Sequence, residues 1–108
     1  MKVLYRQAAS DDVVRQFQYY FIDQNVPDIA MRFRDAVRNT VESLRQHPSV
    51  GAHYRSSSRQ LDALRSWPVA GFELIRIYYL IENDTIRVVR ILHGKRDVKH
   101  ILTHQENI

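Results

Sequence analysis

Apolar residues recur every three or four positions in the first half of the chain and every two in the second, which marks a change from helix to strand. Val13, Val14, Phe17, Tyr20 and Phe21 fall at helical spacing. Ser10-Asp11-Asp12 supplies an N-cap and an acidic first turn for that helix, which is expected to run to about Asn25. Val26-Pro27-Asp28 breaks it and starts a second helix, either with Asp28 as the cap or with Pro27 in the first turn. Ile29, Phe33, Ala36, Val37, Thr40, Val41 and Leu44 form the second stripe, and His47-Pro48 ends it. Two amphipathic helices joined by so short a break predict an antiparallel hairpin.

Strand-like runs surround this hairpin. Lys2 to Arg6 is a short strand; residues 48–60, with Gly51, Arg55, Ser56-Ser57-Ser58 and Arg59, read as a loop. Leu61 to Trp67 is a second strand and Pro68 to Gly71 a turn. Glu73 to Glu82 and Thr85 to Leu92 then form a β-hairpin around Asn83-Asp84. From Lys95 the tail has room for one or two helical turns. The expected fold is a single α+β domain over residues 1–108, with the helical hairpin packed on a mainly antiparallel sheet of about four strands.

Period-two reading places Ile75, Ile77, Tyr79 and Ile81 on one face of the third strand and Leu74, Arg76, Tyr78 and Leu80 on the other. The fourth strand divides into Arg87, Val89, Ile91 and His93 against Ile86, Val88, Arg90 and Leu92. One helical hairpin covers one face. The other face is therefore expected to expose Leu74, Leu80, Val88 and Leu92, studded with Arg76, Arg90 and Tyr78, and a patch of that kind marks an interface. The alternative is that the loop and the tail fold over it.

Composition narrows the function. There is no cysteine, which excludes a disulfide framework, a thiolate nucleophile and a cysteine zinc site. Sixteen cations oppose twelve carboxylates for a net charge of +4, and thirteen of the sixteen are arginine, the residue suited to carboxylate and phosphate recognition. With three glycines and no Gly-rich phosphate loop, ATP- or NAD-dependent chemistry is excluded and no cofactor is expected. No apolar run approaches the roughly 20 residues of a membrane span, and the N-terminus has no apolar signal core, so a cytoplasmic protein is expected.

Arg65, Arg76, Arg90, His93 and Tyr78 are the parts available for metal-free RNA cleavage, which needs a base, an acid and a cation beside the phosphorane. No spacing among them positions an acid–base pair. His100 and His104 share a helical face but lack a third ligand, so no metal site is assigned. Lys95, Arg96 and Lys99, with Asp97 between them, form a short basic segment. Trp67 beside Pro68 has the ring to stack a base, but a lone Trp at a strand end is usually core.

Taken together, Leu64-Arg65-Ser66-Trp67-Pro68-Val69, the aromatic pair Tyr78-Tyr79, and Val89-Arg90-Ile91-Leu92-His93-Gly94-Lys95-Arg96-Asp97-Val98 resemble the ParE toxins. These form one branch of the RelE/ParE superfamily of bacterial type II toxin–antitoxin systems. The resemblance implies a non-enzymatic toxin that traps DNA gyrase on cleaved DNA, and a cognate antitoxin that wraps and neutralises it in a hetero-oligomer. It implies no sequence-specific nucleic-acid binding by the toxin alone and no membrane partner. On this reading Arg65, Leu74, Arg76, Tyr78, Leu80, Val88, Arg90 and Leu92 are antitoxin-binding candidates, and Lys95, Arg96 and Lys99 face gyrase. The RelE branch instead cleaves messenger RNA on the ribosome; that activity, or a decayed toxin that only binds its antitoxin, is the alternative.

Overall fold

The computed structural model describes residues 1–55 and 61–104. Strand β1 (Lys2–Tyr5) leads into helix α1 (Gln7–Gln18), whose last part widens into a π turn over Tyr19–Asp23. Asn25, at φ 51°, turns the chain into α2 (Pro27–Gln46), with Pro27 in the first turn, where its missing N–H is not needed. A 3₁₀ turn (Pro48–Val50) and strand β2 (Ala52–His53) follow. Then come β3 (Arg65–Val69), β4 (Phe72–Glu82), β5 (Thr85–His93) and the short helix α3 (Val98–Thr103). The sheet order is β1-β5-β4-β3-β2, antiparallel except for β1 against β5. The expected α+β arrangement is present, with β2 as the strand that the loop reading omitted. Ser56 to Gln60 of that loop, including Arg59, lie outside the described residues.

Helix α2 follows its stripe: Ala30, Phe33, Val37, Thr40, Val41 and Leu44 are buried. Buried Thr40 is satisfied because its Oγ1 accepts from Ala70 N at 3.1 Å. Helix α1 departs from expectation. It starts at Gln7 with no side-chain cap, so Ser10-Asp11-Asp12 lie inside it. Ala9 and Asp12 are its buried positions, while Val14 and Phe21 are exposed. Two causes act together: the inward face is centred on Ala9, Asp12 and Val13, and the π turn shifts the helical phase. Tyr20 then points inward onto Phe33 and Phe72 at centroid distances of 5.7 and 5.9 Å, and Phe21 turns outward to stack on Phe17.

In the β4–β5 hairpin, Asn83 and Asp84 both have positive φ (48° and 62°), the conformation that matches strand twist in a two-residue turn. Tyr78 pairs with Arg90 but Tyr79 pairs with Val88, so Val89 is the extra residue of a β-bulge. The bulge reverses the inside–outside alternation along β5. Ile86, Val88 and Ile91 join Ile75, Ile77 and Tyr79 beneath the helices, while Val89 and Leu92 face the other way. The placement of Val88 on the second face is therefore corrected.

The second face is not open. Tyr78, Leu80, Val89 and Leu92 pack with Leu61, Leu64 and Leu102, with Tyr54, Val98 and Ile101 around them. Leu80 keeps 5% of its exposure and Leu92 1%. Leu61, Leu64 and helix α3 fold over the sheet, which corrects the exposed-face expectation. The physical reason is that Leu61, Leu64 and Leu102 each hide an apolar side chain of their own by doing so.

Tyr79 fixes the turn before β2. Its hydroxyl donates to Pro48 O at 2.7 Å and accepts from Gly51 N at 3.0 Å. Only glycine fits at residue 51, because a Cβ would overlap the tyrosine hydroxyl and ring. Arg65 ties the same turn from β3 by donating to Ser49 O and Gly51 O at 3.1 and 2.8 Å. Replacing Tyr79 by Phe leaves the Gly51 N–H without its acceptor and is expected to cost about 1–3 kcal/mol in urea unfolding. An unchanged midpoint would reject this anchor.

Candidate functional site

Strand β1 stops at Tyr5, and Arg6 N makes the last bond of that edge, to Val88 O at 2.9 Å. Beyond Val88 the outer edge of β5 has no strand neighbour among the described residues. Helix α1 lies there instead, and Asp12 does what a strand would do. Its Oδ2 accepts from Ile91 N at 2.9 Å. The same carboxylate receives Arg90 through Nε and Nη2, both at 2.8 Å, in a two-pronged ion pair. Arg15 Nη1 adds a contact at 3.3 Å, and Arg96 Nη1 stands 4.0 Å away. The Asp12 side chain is 1% exposed and that of Arg90 14%. The hydrogen bond to Asp12 holds Arg90 still more firmly protonated than an ordinary guanidinium.

The antitoxin-binding candidates thus separate. Arg90 is pinned to α1. Arg65 braces the turn before β2, and Arg76 donates to Ser66 Oγ across the β3–β4 ladder at 2.9 and 3.3 Å. Tyr78 is buried edge-on to Tyr54, and burial pushes its phenol above the usual range. Leu80 and Leu92 lie beneath the cover and Val88 beneath the helices. Leu74 alone of the eight stands out, at 67% exposure.

The basic segment lies on the surface in the turn after β5 and the first turn of α3, where Lys95, Arg96 and Lys99 are exposed. Asp97 is the cap of α3, accepting from His100 N at 3.2 Å. His93 Nδ1 accepts from Lys95 N at 3.1 Å, which leaves Nε2 as the ring's N–H. Trp67 packs against the helix-side core. His100 and His104 lie 4.2 Å apart by ring centroid, and among the described residues no group of three side chains could hold a metal. What this surface offers chemically is charge, hydrogen-bond donors and apolar shape, the means of binding a partner.

Asp12 is the residue the sequence reading missed. The signal was present: Ala9 and Val13, at three before and one after, place Asp12 on the inward face, where a carboxylate requires a cationic partner.

With this geometry in hand, the comparisons are decisive about family. The profile of the ParE toxin of type II toxin–antitoxin systems, parDE, matches residues 3–98. The chain belongs to the ParE toxin family. A solved structure of the chromosomal ParDE toxin–antitoxin system from P. aeruginosa has the same fold, with a TM-score of 0.69 at 17% identity. The match covers 86% of this chain and 95% of that one. No curated protein sequence matches significantly. Among the described residues, no helix is long and apolar enough to cross a membrane.

Replacing Asp12 by Ala strands the Arg90 guanidinium and the Ile91 N–H together. The expected loss is about 3 kcal/mol of unfolding free energy, as for other buried pairs broken from one side. A change under about 1 kcal/mol in chemical denaturation would show that solvent replaces the carboxylate.

Proposed function

We propose that this ParE-family protein acts on DNA gyrase, trapping it on cleaved DNA and so stopping replication. A cognate antitoxin neutralises it by direct binding in the cytoplasm. The single observation that carries the reading is the family match over residues 3–98.

The arrangement of the arginines supports a toxin that binds rather than cleaves. RNA cleavage without a metal requires an acid, a base and a cation converging on one phosphate. Arg65, Arg76 and Arg90 are instead turned onto backbone carbonyls, a serine hydroxyl and a buried carboxylate of the protein itself. Lys95, Arg96 and Lys99 stand outside the packed sheet and are the side chains proposed to face gyrase.

The antitoxin is proposed to engage the second sheet face from its rim. Leu74, Arg76 and Arg65 are reachable from outside, whereas Tyr78, Leu80 and Leu92 become contacts only if α3 lifts. Helix α3 has six residues and holds the face mainly through Leu102, so an antitoxin helix or strand with several apolar side chains could replace it. Val88 and Arg90 support the face from behind and at its edge.

Purified toxin added to gyrase, supercoiled DNA and ATP is expected to inhibit supercoiling and accumulate protein-linked cleaved DNA, both reversed by the antitoxin. Fully active gyrase in the presence of toxin that binds its antitoxin would reject the target. For the antitoxin face, Leu102→Asp should loosen α3 and tighten antitoxin binding severalfold, read by calorimetry. Equal affinity for both forms would place the antitoxin elsewhere.

A further inference from the structure

The end of α1 and the turn after β5 enclose an open furrow; the preceding reading takes Lys95, Arg96 and Leu74 from its rim but leaves the cleft itself and Tyr19 without a role. One half, a cleft of about 430 Å³, is lined by Gln16, Tyr19, Tyr20, His93, Lys95 and Arg96. The adjoining half, about 350 Å³, shares Tyr20 and His93 and adds Phe72, Glu73 and Leu74 among its walls. The π turn makes the first half possible. Widening of the last helical turn sets two consecutive tyrosines at its rim, and such turns recur at functional sites. Tyr19 is 44% exposed, with its ring edge-on to Tyr20 at 5.6 Å.

The basic half contains no carboxylate in its lining. Two acids beside Arg96 are engaged elsewhere. Asp97 caps α3, and Asp12 holds Arg90 and Ile91 N, leaving Arg96 at 4.0 Å. Lys95 has no ion pair among the described residues. His93, with Nδ1 accepting from Lys95 N, has Nε2–H to offer as a further donor. Glu73 belongs to the other half only, where it accepts from Gly71 N. The furrow is therefore polarised: cations and donors at one end, apolar walls and one acid at the other.

We propose that this furrow binds single-stranded DNA, with backbone phosphate on Lys95 and Arg96 and a base stacked on Tyr19. Exposed cations beside an exposed aromatic ring are what sequence-independent strand binding requires: charge follows the backbone, and every base has a face to stack. A strand fits better than a free nucleotide because the two halves adjoin at Tyr20 and His93, which line both. The acid in the second half restricts phosphate to the basic end and leaves the apolar walls to sugar and base. The assignment goes beyond the gyrase reading, and no gyrase is present in its test.

The test is fluorescence anisotropy of the full chain with a labelled oligodeoxythymidylate of about 12 nucleotides, titrated at several salt concentrations from about 50 mM upward. The protein should bind, and the affinity should fall as salt rises. Lys95→Ala and Arg96→Ala should each reduce the steepness of that salt dependence by about 0.7. Tyr19→Leu should weaken binding about tenfold while leaving the salt dependence unchanged. Lys2→Ala, which removes an equal charge beside Thr85, at the opposite end of β5 from Lys95, should bind as the parent does. Lys95 and Tyr19 are exposed, so their variants keep the fold. No binding at the lowest salt, or an equal loss for Lys2→Ala and Lys95→Ala, would overturn the site. Tighter binding of the matching ribo-oligonucleotide would overturn the assignment to DNA.

Discussion

A buried carboxylate closes this sheet. β1 is too short to pair with the whole of β5, and the unpaired half of an edge strand is a row of backbone groups open to wrong partners. Asp12 meets that need from a helix, taking the Ile91 N–H and the Arg90 guanidinium at once. The cost of burying a charge is offset by two-pronged geometry and a third hydrogen bond, the condition under which a buried pair holds. Because α1 is fixed to β5 at this point, the helical hairpin sits on one face. Arg90 is kept from solvent, and the turn carrying Lys95 and Arg96 starts from a defined place.

The two faces of the sheet are covered by unequal means. On one, α2 spans twenty residues with a continuous apolar stripe. On the other, a few leucines from the loop and a six-residue helix do the same work. A helix that short has no stability of its own in water and persists through its packing. Local opening is easiest where few apolar contacts hold a segment, so the second face is the one a partner can take over. For a ParE-family toxin this places firm packing under the helices and exchangeable packing on the side proposed for the antitoxin.

The parts of the fold legible in the sequence are those where polar residues interrupt apolar ones at a clear period. The α2 stripe from Phe33 to Leu44 is such a case, and Asn83-Asp84 announced its turn by residue type. β5 defeated the same reasoning because Ile86 to Leu92 is apolar on both sides of Arg87 and Arg90. A one-residue bulge at Val89 then leaves no polar marker of the slip, and Val88 was assigned to the wrong face. Asp12 reads as part of an acidic first turn, where acids near helix starts usually belong; its partner lies 78 residues away, beyond any local pattern. The cover by Leu61, Leu64 and Leu102 depends on three-dimensional proximity alone. At the candidate site, the basic segment was visible as charge, but its union with Tyr19 and Tyr20 follows from a π turn with no distinctive sequence signal.

The central claim, that Asp12 replaces a missing strand at the edge of β5, is tested most directly by residue-resolved amide hydrogen exchange on the free protein. The account predicts that the Ile91 amide exchanges as slowly as the paired amides of the β4–β5 ladder, and that α3 exchanges faster than α2. An Ile91 amide exchanging at the rate of an open sheet edge would contradict it.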